Sequence, residues 1–300
     1  TAEDNRDTIT LGTGRPTAMA LKNLLLHIDD TKACAKRMDY AIELARLHDA
    51  HLSAVYCIGE YKLPGWADMP STLEKEQKER EEKRAKAKLE EFADKAKRAG
   101  INYETREARA RVSDLPEVVS IHGRYADLVI LGQVDPNDPP AGGDRVVEHV
   151  VISCGRPVLV VPYVGAPERK GVPSVAQNIM VGWDAGREAT RAVNDALPLL
   201  EQAKSVDVVS VNPKKVGKHG DEPGADIGLH LSRHRVKVNV QHLESRDIDP
   251  GDTLLSRVSD KGCDLLVIGG YAHSRLRDLV VGGVTETMLE HMTVPVLMSH

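Results

Sequence analysis

Short apolar runs of four to seven residues, rich in Val, Ile and Leu, recur along the chain. They include NLLLHID at 23–29, DLVILG at 127–132, NIMVGWD at 178–184 and DLLVIGG at 264–270. Runs this short, without polar alternation, predict strands buried on both faces of a parallel sheet. Between them apolar residues fall at three- and four-residue intervals: Cys34, Met38, Ala41, Ile42 and Ala45, then Ala189, Ala192, Val193, Ala196, Leu197 and Leu200. Such stripes predict crossover helices that bury one face against a sheet. Strand alternating with helix, with right-handed crossovers, is an α/β parallel-sheet architecture of about five strands per half.

The runs also repeat as a set. NLLLHID at 23–29 aligns with NIMVGWD at 178–184 at an offset of 155 positions, and HLSAVY at 51–56 falls on VDVVSV at 206–211 at the same offset. DLVILG at 127–132 corresponds to DLLVIGG at 264–270, and RPVLVVP at 156–162 to TVPVLMS at 293–299. A period this long predicts two duplicated doubly wound domains, because solenoid repeats run about 20–50 residues. The expected boundaries are 19–163 and 178–300, with the proline-bearing stretch 164–177 as linker. Residues 1–18 show no periodicity and read as a disordered arm or an added leader. The last apolar runs, VLVVP and VPVLMS, would be exposed edges if unpaired, so pairing them within the chain predicts an intramolecular pseudo-dimer that could itself form a homodimer.

Composition narrows the function classes. At 300 residues and 41% hydrophobic content the chain can bury two cores, while a net charge of −5 supplies no basic field for nucleic acid. No run approaches the roughly 18 apolar residues of a membrane span, and the N-terminus lacks a signal pattern, so the expected location is the cytoplasm. Cys34, Cys57, Cys154 and Cys263 form no CxxC pair, which points to neither zinc site nor disulfide framework. The charged stretch 71–100 predicts a long helix with a solvated face braced by the i,i+4 pairs Glu79–Lys83 and Glu82–Lys86.

Candidate chemistry concentrates in GGYAHSRLRDLVVGG at 269–283. Gly269, Gly270, Gly282 and Gly283 let backbone N–H groups approach an anion, and the helix beginning at Val284 turns its positive end toward them. In a doubly wound sheet this loop should face Asp184, at the end of the second half's first strand, across the ligand crevice.

With the duplicated NLLLHID/NIMVGWD starts, the segment DLLVIGGYAHSRLRDLVVGGVTETML and the proline-led last strands, the chain resembles universal stress proteins of the UspA type in tandem form. That resemblance implies five-stranded sheets of order 3-2-1-4-5 paired through their last strands, a cytoplasmic stress-response regulatory role, and an adenine-nucleotide loop of the form G-x2-G-x9-G-[S/T]. The loop falls on Gly269, Ala272, Gly282 and Gly283, so alanine replaces the second glycine and glycine the hydroxyl residue. It further implies ATP with Mg or Mn as cofactor, Asp184 contacting ribose or adenine, and backbone groups of Val211 meeting adenine. Arg275 and Arg277 within the loop could add charge to the phosphates.

The first half reads QVDPNDPP after DLVILG, and Asp135 and Asp138 would repel a triphosphate, so no nucleotide is expected there. Alternatives remain open: a nucleotide-free scaffold for an unidentified protein partner, a slow ATPase, or a crevice for another small molecule. Asp29 and Asp184 could each simply brace a strand-to-helix turn. His230 and His234 are spaced i,i+4, but HExxH chemistry is missing, and His219 and His242 could join them only in space. No nucleophile sits in a G-x-S-x-G elbow, so no catalytic residue is assigned.

Overall fold

The computed structural model describes residues 20–60, 71–140, 145–213, 224–245, 247–271 and 283–300. In the first half, β1 (Asn23–Ile28), β2 (His51–Glu60), β3 (Tyr103–Arg111), β4 (Leu128–Gly132) and β5 (Val158–Val161) alternate with α1 (Cys34–His48), α2 (Ser71–Ala99), α3 (Leu115–Gly123) and α4 (Val146–Ser153). A two-residue pair, β6 (Glu168–Arg169) and β7 (Val172–Pro173), precedes the second half. There β8 (Asn178–Gly182), β9 (Ser205–Val211), β10 (Val238–Leu243), β11 (Leu265–Gly269) and β12 (Val296–Ser299) alternate with α5 (Arg187–Leu200), α6 (Ala225–Arg233), α7 (Pro250–Lys261) and α8 (Val284–His291).

All ten long strands form one sheet of order β10-β9-β8-β11-β12-β5-β4-β1-β2-β3, so each half has the order 3-2-1-4-5. Pairing is parallel within each half, and β12 meets β5 antiparallel, with Val296 opposite Val160 and Met298 opposite Val158. The strands that would have been apolar edges thus cover each other, as the sequence pattern predicts.

Alternation sends Leu24, Leu26 and Ile28 of β1 into the core beneath α1 and α2, while Leu25 enters the core on the α3 and α4 face. Both cores continue across the β5–β12 seam: Phe92 and Val193 share one, Val147 and Met288 the other. The helical stripes read from the sequence are buried throughout, from Cys34 to Ala45 and from Ala189 to Leu200.

Asp127 and Asp264, which open the two DL runs, have a common job. Asp127 accepts hydrogen bonds from the Lys22 and Asn23 N–H groups at 2.7 and 2.9 Å, and Asp264 accepts one from Asn178 N–H at 2.8 Å. Each carboxylate pins the start of its half's central strand to the strand beside it.

The stretch between the halves carries structure the sequence did not signal. Lys170 and Gly171 both have positive φ (55° and 75°), the turn that closes a two-residue hairpin between β6 and β7. Ser174, just after it, is buried and donates to Asp264. On α2, Glu79 pairs with Lys75 and Lys86 with Glu90, while Glu82 reaches Arg109 of β3 at 2.9 Å, so the helix braces the sheet edge instead of making the pairs expected along its own face.

Candidate functional site

The crevice of the second half lies at the carboxyl ends of β8 and β11, which are neighbours in the sheet. Asp184 stands two residues beyond β8 and is exposed; its Oδ1 accepts a hydrogen bond from Gly186 N–H at 2.7 Å. That contact braces the turn into α5, and Oδ2 has no partner among the described residues. Ala185, between them, has φ 55°, a left-handed conformation that alanine adopts only at a cost.

Val211 ends β9. The register between β8 and β9 stops at Gly182 and Val209, and Trp183 N–H donates to the Val209 carbonyl at 2.9 Å. Peptide groups alternate in direction along a parallel strand, so those of Val211 point to the side that β8 has left. They are therefore presented to the crevice.

Gly269 ends β11, and a Cβ there would lie 2.6 Å from Ala189 N and 2.8 Å from the Glu188 carbonyl carbon. Glycine lets the first turn of α5 rest directly on the strand. Gly270 N–H donates to the Ser299 carbonyl at 2.8 Å, and a Cβ at 270 would come within 2.9 Å of Val151 on α4 of the other half. These two glycines serve close packing.

Gly283 caps α8 with an extended backbone (φ 169°), and a Cβ there would meet nothing within 4 Å among the described residues. The N–H groups of Gly283, Val284 and Thr285 have no acceptor among the described residues, and the first helical bonds run from Glu286 and Thr287 N–H to the Gly283 carbonyl. Tyr271 N–H donates to Thr285 Oγ1 at 3.2 Å, tying the start of the loop to this helix. Burial raises the Tyr271 hydroxyl above its usual range, and Glu148 of α4 and Glu286 of α8 add to the rise. The carboxylate of Glu286 also draws on the positive end of α8. Ala272, Arg275, Arg277 and Gly282 lie outside the described residues.

The first half closes the corresponding crevice. Arg37 of α1 passes the end of β4, where a Cβ at Gly132 would overlap its guanidinium, and pairs with Asp29 at 2.6 Å while its Nε donates to the His27 carbonyl at 3.0 Å. Asp29 also accepts from the N–H and hydroxyl of Thr31. Burial pushes the Asp29 carboxyl up, but the Arg37 charge, His27 and these hydrogen bonds together hold it down at about 2. His27 beside them is pushed down to about 4, chiefly by burial, with Asp29 opposing and Arg37 adding.

The wall continues through Tyr56, Cys57 and Val147, and burial lifts the Cys57 thiol to about 12. Asp138 accepts a hydrogen bond from Lys32 N–H at 2.8 Å across the mouth. The remaining free volume is about 30 Å³, enough for one or two waters and far below the several hundred Å³ of a small-molecule site.

Arg37 and His27 were not singled out by sequence reasoning, although the repeat held the signal: the aligned positions in the second half are Ala192 and Gly182. The halves also meet through Gln133, whose amide donates to the Leu289 and Glu290 carbonyls at the end of α8 at 2.9 and 3.2 Å. His230 on α6 and His234 at its C-cap lie with ring centroids 4.8 Å apart; no group of three or more metal-ligating side chains gathers among the described residues.

Comparison with known proteins agrees with this architecture. The model of the universal stress protein family matches twice, over residues 20–162 and 176–300. A universal stress protein of Synechocystis is 24% identical over 178 residues, an alignment covering 57% of each protein, so the chain spans little more than half the length of that relative. The crystal structure of a universal stress protein from Archaeoglobus fulgidus superposes with a TM-score of 0.68 at 16% identity, covering 92% of this chain and 95% of the other. A functionally unknown protein from Pseudomonas aeruginosa gives 0.56 at 14% identity, covering 93% and 92%.

Proposed function

The chain belongs to the universal stress protein family, and we propose that it is a cytoplasmic stress-response regulatory module whose second domain binds an adenine nucleotide, while its first domain binds none and serves as a docking partner. The observation that carries this reading is the α8 N-terminus: three backbone N–H groups without acceptors among the described residues, behind a glycine whose added Cβ would meet none of those residues within 4 Å. Phosphate oxygens would take those N–H groups, the unpaired oxygen of Asp184 would accept from a ribose hydroxyl, and the peptide groups of Val211 would meet the adenine edge. A magnesium or manganese ion would arrive on the phosphates, as such ions ordinarily do.

In the first domain the guanidinium of Arg37 already neutralises the equivalent carboxylate and occupies the space between β1 and β4, which supports a structural role. The output of the module would be a conformational change that requires the nucleotide to bind one state better than another.

The test is thermal unfolding with and without millimolar Mg-ATP for the natural protein, Val284→Pro and Asp184→Ala. Proline at the first helical position removes one N–H while keeping the helix. At a hundred times its dissociation constant a ligand stabilises by about 2.7 kcal/mol. A shift in the natural protein that shrinks in both variants is expected. No shift in any of the three proteins would hand the lead to a nucleotide-free scaffold, and an equal shift in all would move the nucleotide elsewhere.

A further inference from the structure

The ten-stranded sheet ends on one side at β3, a nine-residue strand, YETREARAR, that among the described residues pairs only with β2. Leu52 N–H donates to the Asn102 carbonyl at 2.9 Å, which fixes the phase of the ladder. Asn102 and the even-numbered residues turn their peptide groups to β2, so Tyr103, Thr105, Glu107, Arg109 and Arg111 turn theirs outward. Beside this edge runs a groove of about 420 Å³ between β3 and α2, lined by Thr105, Glu107, Arg109, Leu89 and Ala93. The opposite edge, β10, differs: Asn239 and Gln241 both donate to Asp207 at 2.8 and 2.6 Å, and the strand carries no Lys, Arg, Asp or Glu to select a partner.

We infer that β3 docks a second copy of this chain, strand to strand and antiparallel, making a two-fold dimer in which the sheets of the two copies are continuous. Charge complementarity under two-fold symmetry selects this pairing. An antiparallel edge pair with its two-fold axis normal to the sheet must be centred on a residue facing its own copy. Centring on Glu104, Arg106, Glu107 or Arg109 sets like charges face to face, and centring on Ala110 opposes Arg109 with Arg111. Like charges directly opposite each other destabilise a pair of strands.

Centring on Ala108 avoids all of these and pairs residues 105–111 of each copy. It places Glu107 opposite Arg109 of the second copy, and Arg109 opposite its Glu107, on the α2 side of the sheet. Thr105 faces Arg111, and Ala108 faces Ala108. The register centred on Thr105 is also free of like charges but pairs only residues 103–107. Within one chain Arg109 already bridges to Glu107 and Glu82 at 2.8 and 2.9 Å, so docking exchanges ion-pair partners without stranding a charge. An interface of one strand and its flanking helix is small, which makes the dimer dependent on concentration.

The experiment is sedimentation equilibrium of the full chain from micromolar to millimolar concentration. The natural protein is expected to associate to dimers. Glu107→Arg alone sets arginines against each other and Arg109→Glu alone sets glutamates against each other, so each should weaken self-association about tenfold or more. An equimolar mixture of the two variants should dimerise again, and so should the double variant Glu107→Arg/Arg109→Glu. Amide exchange of the natural protein gives an account without any variant: the N–H groups of Thr105, Glu107 and Arg109 should gain protection as concentration rises. A natural protein that stays monomeric throughout would overturn the inference, and so would single variants that dimerise as well as the natural chain or a mixture that fails to restore association.

Discussion

The two halves carry the same sheet ends and treat them oppositely. In the second half the positions aligned with His27 and Arg37 are Gly182 and Ala192. Asp184 keeps an oxygen without a partner among the described residues, and the α8 N-terminus keeps N–H groups without acceptors among them. In the first half Arg37 crosses beside Gly132 and binds Asp29, and the cavity lined by Asp29, Tyr56, Cys57 and Gly132 keeps only about 30 Å³. A duplicated fold can thus fill one of two equivalent sheet-end crevices with an internal ion pair from one long side chain, because the glycine at the strand end leaves room for an arginine.

The strongest way to break this comparison is to remove the plug. Arg37→Ala leaves Asp29 buried beside His27 without its cation, and breaking a buried pair from one side costs about 3–5 kcal/mol. Denaturant unfolding should show that loss, and Asp29→Asn with Arg37→Ala should recover much of it. If the double variant is no more stable than the single one, the pair is not what closes the crevice.

Acid sharpens the contrast next. His27 titrates at about 4 in the folded chain, against about 6.5 unfolded. The unfolded state therefore takes up the proton first. Stability contributed by the neutral imidazole is complete above pH 6.5 and declines as pH falls toward 4, by about 3 kcal/mol in all. Asp29, held at about 2, acts in a lower window: its contribution is present above the unfolded value near 4 and is lost as pH falls through 2. Unfolding free energies measured from pH 7 to 4 should fall less steeply in His27→Leu, leaving the slope that His48 and His122, also lowered by burial, contribute; an unchanged slope would place the titrating group elsewhere.

The smallest effect on stability comes from the second half. Gly283 has open space for a side chain and an extended backbone, so Gly283→Ser should change the unfolding free energy by less than about 0.5 kcal/mol. The added hydroxyl supplies a hydrogen bond to charged phosphate, worth about 1.5 kcal/mol, or roughly tenfold in ATP affinity by calorimetry. Unchanged or weaker affinity would argue against phosphate at this helix end.

Much of the architecture was legible because burial on both faces leaves a strong local mark. The runs at 23–29, 127–132, 178–184 and 264–270 carry strands at 23–28, 128–132, 178–182 and 265–269, one or two residues shorter, and the charged stretch from Ser71 is a single helix. The hairpin at 168–173 was missed because its turn, Lys170-Gly171, lies between strands too short to show any periodicity. At the site, the loop glycines were visible as a cluster, yet their roles differ. Gly269 and Gly270 are held by contacts with α5 and α4, and Gly283 is not. Contacts of that kind come from residues far away in the chain and leave no trace near the glycine itself.

The duplication, the strand and helix alternation and the apolar last strands are readable in the order of residues, because each follows from how a segment must bury its own side chains. Arg37 reaching Asp29, Glu82 turning to Arg109 instead of along its helix, and Gln133 bonding the end of α8 in the other half became visible in the folded chain alone. Long side chains choose partners by distance and direction across elements, and those are fixed only after the sheet has been assembled.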